Sequence, residues 1–107
     1  MGVLKPVARI GDQGQGICYL HTSPTSYTTT FVTTPATTIT VNGIEICVVG
    51  TIGNATCGHQ TIAVTGSGVS GDLNGHAFHR VGDIGYVIGD ENSTYIVTTG
   101  SDILSSE

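Results

Sequence analysis

The sequence predicts an all-β protein, and three observations carry that expectation. Threonine is the commonest residue, with 17 copies against 4 Leu, 5 Ala, 3 Glu and 1 Lys, a mixture that starves helices and favours pleated strands. Sixteen glycines punctuate β-branched runs of strand length. Three segments also echo one another: Pro6-Val7-Ala8-Arg9-Ile10-Gly11-Asp12, Ile46-Cys47-Val48-Val49-Gly50-Thr51 and Phe78-His79-Arg80-Val81-Gly82-Asp83.

The elements follow in chain order. The repeat glycines Gly11, Gly50 and Gly82 lie 39 and then 32 residues apart, room for a few short strands per unit, and each unit is expected to form a small β-sheet layer. The stretch from Cys18 to Thr40 holds ten threonines and reads as an inserted loop plus an edge strand over Thr29 to Thr34. Asn42-Gly43 is a type I′ turn signal, so Thr37 to Val41 and Ile44 to Val49 form a hairpin around it. Asn74-Gly75 repeats that signal between Val69 to Leu73 and His76 to Val81. Further strands are predicted over Thr61 to Thr65, Gly85 to Ile88 and Ser93 to Thr99. The Gly66-Ser67 and Gly100-Ser101 pairs, 34 residues apart, open equivalent turns, and the tail from Asp102 starts a new strand.

The 107 residues leave room for one domain, 1–107. A core built from Val, Ile and Thr without Trp buries little apolar area, so a chain this short calls for an extra staple. The formal charge is −5 and the cations are Lys5, Arg9 and Arg80, which excludes a phosphate-neutralising stripe and hence a nucleic-acid partner. No apolar run approaches the ~18 residues of a membrane span, and Met1 to Ile10 has no apolar signal-peptide core. The expectation is a chain made in the cytoplasm without a signal peptide and without stable membrane insertion.

Three cysteines are an odd number, which argues against a complete disulfide framework and for metal ligation or free thiols. Their positions keep phase with the repeat. Cys18 and Cys57 each stand seven residues past a repeat glycine, His21 ten and His59 nine past theirs, and Cys47 and His79 three before. Thiolate and imidazole are the ligands zinc prefers in tetrahedral geometry, so the set reads as a zinc site. Catalysis is not expected: Glu45, Glu91 and Glu107 form no general-base arrangement, no HExxH helix occurs, and a Gly/Thr-rich chain of this size has little volume for a pocket. Arg9 with Asp12 and Arg80 with Asp83 read as turn-locking pairs.

The segments Pro6-Val7-Ala8-Arg9-x-Gly11-Asp12 and Asn74-Gly75-x-x-x-His79-Arg80-Val81-Gly82-Asp83 resemble the PAAR repeat, and the likeness extends in three units over nearly the whole chain. The resemblance implies a cone of short β-strands that caps the trimeric β-helical spike of a contractile phage tail or type VI secretion needle. It sharpens the tip for piercing a target envelope and is held by one zinc with three His ligands and one Cys. Carried onto this sequence, the ligands are His21, Cys57, His59 and His79, with Cys18 as the substitute for Cys57 and His76 the weakest choice. It further implies a trimeric spike protein as partner and leaves open whether effector cargo rides on it; with no extension after Glu107, a fused toxin domain is not expected. Val48 and Thr51 stand where the repeat has Arg and Asp, which assigns the middle unit to packing. The reading from another class is a free-standing metal-binding or thiol redox module using Cys18, Cys47 and Cys57. A third, an adhesive or ice-binding solenoid, rests on the threonines alone.

Overall fold

The computed structural model describes residues 5–35, 40–66, 77–100 and 105–106. They form strands and turns with no helix: β1 (Lys5–Pro6), β2 (Gln13–Cys18), β3 (Thr25–Thr33), β4 (Thr40–Val41), β5 (Ile44–Glu45), β6 (Ile52–Ala55), β7 (Gln60–Ala63), β8 (Ile84–Val87), β9 (Asp90–Val97) and β10 (Ser105–Ser106). The protein is all-β, as the composition requires.

Each repeat builds the same turn. Gly11, Gly50 and Gly82 adopt left-handed φ values of 96°, 102° and 91°, which an L side chain would resist. The next residue donates its N–H to the carbonyl three positions back: Asp12 to Arg9 at 2.9 Å, Thr51 to Val48 at 3.0 Å and Asp83 to Arg80 at 2.9 Å. Its side chain answers by accepting the N–H of that same residue, at 2.8 Å for Asp12 Oδ2, 3.0 Å for Thr51 Oγ1 and 2.8 Å for Asp83 Oδ2. The middle unit therefore keeps the turn lock, with a hydroxyl in place of a carboxylate, while Val48 packs in the core.

Every such turn launches one antiparallel hairpin, β2–β3, β6–β7 or β8–β9, and these pair side by side into a closed six-stranded barrel. The units are thus sectors of one barrel and not separate layers, because closure satisfies both free edges of every hairpin. β3 pairs with β2 on one side and β6 on the other, so it is an interior strand and not the edge strand expected there. Where the segments preceding the turns meet, their backbones close a ring. Ala8 N–H donates to His79 O at 2.9 Å, His79 N–H to Cys47 O at 3.0 Å, and Cys47 N–H to Ala8 O at 2.8 Å. Three equivalent positions in three repeats thereby define a pseudo-threefold axis. The Asn42-Gly43 turn has positive φ at both central residues, 54° and 79°, as type I′ demands. Of the predicted hairpin around Asn74-Gly75, residues 69–76, His76 included, lie outside the described residues, while Phe78 and Arg80 bridge Val48 and Val7; β10 closes against β1.

Alternation along the ring segments separates two apolar clusters. Ala8 and Cys47 face the barrel with Tyr27, Phe31, Tyr95, Val87 and Val97, whereas Val7, Ile46 and Val48 pack with Val41 and Phe78 on the other side. The barrel core is therefore centred on aromatic rings, and isoleucines such as Ile17, Ile88 and Ile96 face outward. Glycines make the room. A Cβ on Gly14 or Gly85 would run into the Tyr95 ring, and one on Gly53 into the buried Thr29 and Thr61 hydroxyls, which bond each other at 2.6 Å. Small residues opposite large ones are how a narrow barrel is filled.

Gly85→Ala, with Tyr95 and the Ile62 carbonyl in its way, is expected to lower stability by about 2 kcal/mol or more in chemical denaturation, the scale of an overpacked core.

Candidate metal centre

Because β2, β6 and β8 all start at a repeat turn, their hairpin tips gather at the opposite end of the barrel from the ring. Cys18 is the last residue of β2, paired with Thr25, and the β2–β3 connection carries His21. The β6–β7 connection is the four residues Thr56-Cys57-Gly58-His59. Gly58 N–H returns to Ala55 O at 3.0 Å, Ala55 N–H bonds His59 O at 2.9 Å, and Gly58 takes φ 91°. This is a type I turn closed by a left-handed residue, so glycine at 58 is a backbone requirement and Cys57 is carried at the apex. Thr56 ties the loop to β3, its N–H to Thr28 O at 3.0 Å and its Oγ1 accepting from Thr28 N–H at 3.1 Å.

These two tips bring one ligand atom each of Cys18, His21 and Cys57 within 4.8 Å of one another. A tetrahedral zinc with Zn–S near 2.3 Å and Zn–N near 2.0 Å sets its ligands roughly 3.5–3.8 Å apart, so the triad needs little adjustment to hold one. A second observation points the same way: His21 Nε2 is buried without a hydrogen-bond partner, a costly state for a ring nitrogen unless a ligand is meant to meet it. His59 comes close by its ring, 5.1 Å between centroids from His21, without joining the compact triad. Burial pushes the Cys57 thiol up, opposed by hydrogen bonding to the His59 backbone and reinforced by Cys18. A bound cation would reverse that balance by replacing the proton. The Tyr27 phenol beneath is likewise raised by burial and then by the two cysteines, and it donates to Ser93 O at 2.9 Å.

The third tip contributes hydrogen bonds in place of ligands. Ser93 Oγ accepts Tyr19 N–H at 2.8 Å and bonds Asp90 Oδ2 at 2.5 Å, which braces the connection that carries His21.

The structure does not bring His79 to this cluster. It lies at the ring end, fully buried against Phe31 and Tyr95, with Nδ1 2.7 Å from Thr65 O and Nε2 2.8 Å from the Tyr95 hydroxyl. A carbonyl only accepts, so Nδ1 carries the proton and Nε2 accepts from Tyr95, leaving no lone pair for a metal. The physical reason is register. His79 precedes its repeat turn, whereas the other ligand positions follow theirs by seven to ten residues, a strand length away. Cys47, also before its turn, is buried in the core, and burial pushes its thiol up to about 12. Of the two Arg–Asp pairs, Arg80 forms a buried fork with Asp83, 3.0 and 3.2 Å, and reaches Gly66 O at 3.3 Å. Arg9 Nε stands 3.9 Å from Asp12 Oδ2, within ion-pair reach but without a hydrogen bond.

No family model, curated protein or solved structure matches this chain. The fold and site thus define a small pseudo-threefold β-barrel with a Cys/His cluster that can hold a metal ion at its hairpin tips.

Burial holds His79 below the ordinary imidazole range, with Thr65 and Asp83 pulling the other way without prevailing and Arg80 adding to the depression. The unfolded chain then binds the proton more readily than the folded one. Stability is expected to be level above about pH 6.5 and to fall as pH drops from there through the folded value. Denaturation midpoints at pH 7.5 and 5.0 check this, and His79→Gln is expected to lower the midpoint at pH 7.5 and flatten the acid slope.

Proposed function

We propose that this protein is a non-enzymatic spike tip that caps a trimeric β-helical spike, of a contractile phage tail or a type VI secretion apparatus, and is stapled by a structural zinc. The observation that carries the reading is the hydrogen-bonded ring of Ala8, Cys47 and His79. A single chain whose repeats obey a pseudo-threefold axis can present three near-equivalent faces to a threefold partner, which an asymmetric fold cannot do. On the ring side, β1–β10 and β4–β5 are two-stranded sheets, whose edges suit extension by a partner's strands without any charged patch.

At the opposite end Cys18, His21 and Cys57 would hold the zinc, with His59, its ring 5.1 Å from that of His21, as the fourth ligand. A closed set of four protein ligands suits a structural zinc, because no position is left for substrate. Its chemistry is to draw the first and second hairpin tips together, which stiffens the leading point.

Chain purified without added metal is expected to carry about one zinc by elemental analysis. Cys18→Ser, His21→Ala and Cys57→Ser are expected to lose it, whereas His79→Gln keeps full stoichiometry. Chelation is expected to lower the thermal midpoint by roughly 10 °C or more, since zinc supplies on the order of 10 kcal/mol to small folded sites. Co-expression with the spike gene nearest its own tests the partner. Native mass spectrometry is expected to find one chain per spike trimer, and three chains per trimer or none would overturn the capping role.

A further inference from the structure

We propose that Cys18 and Cys57 close into a disulfide when the metal is absent, so that the same two hairpin tips have a second, covalent staple. The inference rests on the metal centre only in taking the two staples as mutually exclusive. Both thiols belong to the cluster whose ligand atoms lie within 4.8 Å of one another, and a bond length near 2.05 Å requires a shift of no more than about 3 Å. Cys57 sits at the apex of a short turn and is only partly buried, whereas Cys18 is locked in β2 and fully buried, so the moving partner is Cys57. Cys47, the third thiol, faces the core at the ring end and lies outside the cluster.

The order of events follows from access. The Cys57 thiolate, having lost its proton to solvent, attacks a low-molecular-weight disulfide, forming a mixed disulfide and expelling one thiolate. The Cys18 thiolate then attacks Cys57 Sγ, forms the internal bond and expels the second thiolate. Two electrons pass from the cysteines to the small disulfide and two protons to water. Such a closure would preserve the tip after transfer from a reducing compartment, where thiols stay reduced, to an oxidising one, where disulfides persist.

The full chain, loaded with zinc sulfate, is incubated with excess oxidised glutathione and a zinc-binding dye, and the products are mapped by peptide mass spectrometry. The expected result is one intramolecular Cys18–Cys57 link per zinc released, formed at least tenfold faster once a chelator has removed the metal. The linked product is expected to melt roughly 10 °C above the reduced, chelated chain. Glutathione adducts, pairs with Cys47, or dimers as the main product would overturn the inference. A chain that never binds zinc yet forms the Cys18–Cys57 link removes the metal centre and upholds the disulfide. A chain that binds zinc and forms no link does the reverse.

Discussion

The fold depends on one backbone device: a left-handed glycine followed by a side chain that caps the amide three residues behind it. Its three copies show which part is indispensable. The Arg–Asp ion pair is a full fork at Arg80, a loose 3.9 Å approach at Arg9 and absent at Val48, yet the cap is kept within 2.8–3.0 Å in all three. The neutral Thr51 hydroxyl suffices, so what matters is satisfying a buried amide and not the charge. Fixing that amide sets the direction of the outgoing strand. Three like directions about one axis let three hairpins meet edge to edge, and the ring of Ala8, Cys47 and His79 is the consequence on the incoming side.

The sequence disclosed what repeats and hid what glycine conceals. The repeat, the Asn42-Gly43 hairpin and the strands rich in β-branched residues could be read directly. β2, with the sequence Gln-Gly-Gln-Gly-Ile-Cys, and β6, Ile-Gly-Asn-Ala, could not, because glycine weakens strand propensity. Those glycines are there for the Tyr95 ring, the Thr94 carbonyl and the Thr29–Thr61 hydroxyl pair, all tertiary neighbours that no local window contains. The same blindness hid part of the core. The Val/Ile/Thr interior is there in Val7, Ile46, Val48, Val87, Val97, Thr29, Thr51 and Thr61, but the glycine-lined barrel also admits Tyr27, Phe31 and Tyr95 and leaves Ile17, Ile88 and Ile96 at the surface.

The candidate site was more legible than the family pattern allowed. Phase relative to the repeat glycine sorts the soft ligands into two classes, three before and seven to ten after, and a strand separates them. Cys18, His21, Cys57 and His59 all belong to the second class. His79 belongs to the first, and a quartet taking one member from the wrong end of the barrel has no common centre. What phase could not show is the use His79 finds instead, as the neutral bridge between the Thr65 carbonyl and the Tyr95 hydroxyl. Without such a bridge the Tyr95 phenol would be an unmet group in a core this small.

The two ends of the barrel therefore meet one problem by different means. At the ring, three backbones converge and supply their own donors and acceptors. At the tips, chains turn away from one another, and side chains join the Thr56–Thr28 backbone bond in spanning the gap. The third hairpin reaches the first through Asp90, Ser93 and the Tyr19 amide. The first and second share the Thr28–Thr56 bonds on the outside, but on the inside they face each other with Cys18, His21 and Cys57 around an unsatisfied ring nitrogen. Gly89 occupies the position of Cys18 and Cys57 in the third unit, so the asymmetry of the ligand set follows the sequence. A cation bound there would add a contact between the first and second hairpins on the side that the Thr28–Thr56 bonds leave open.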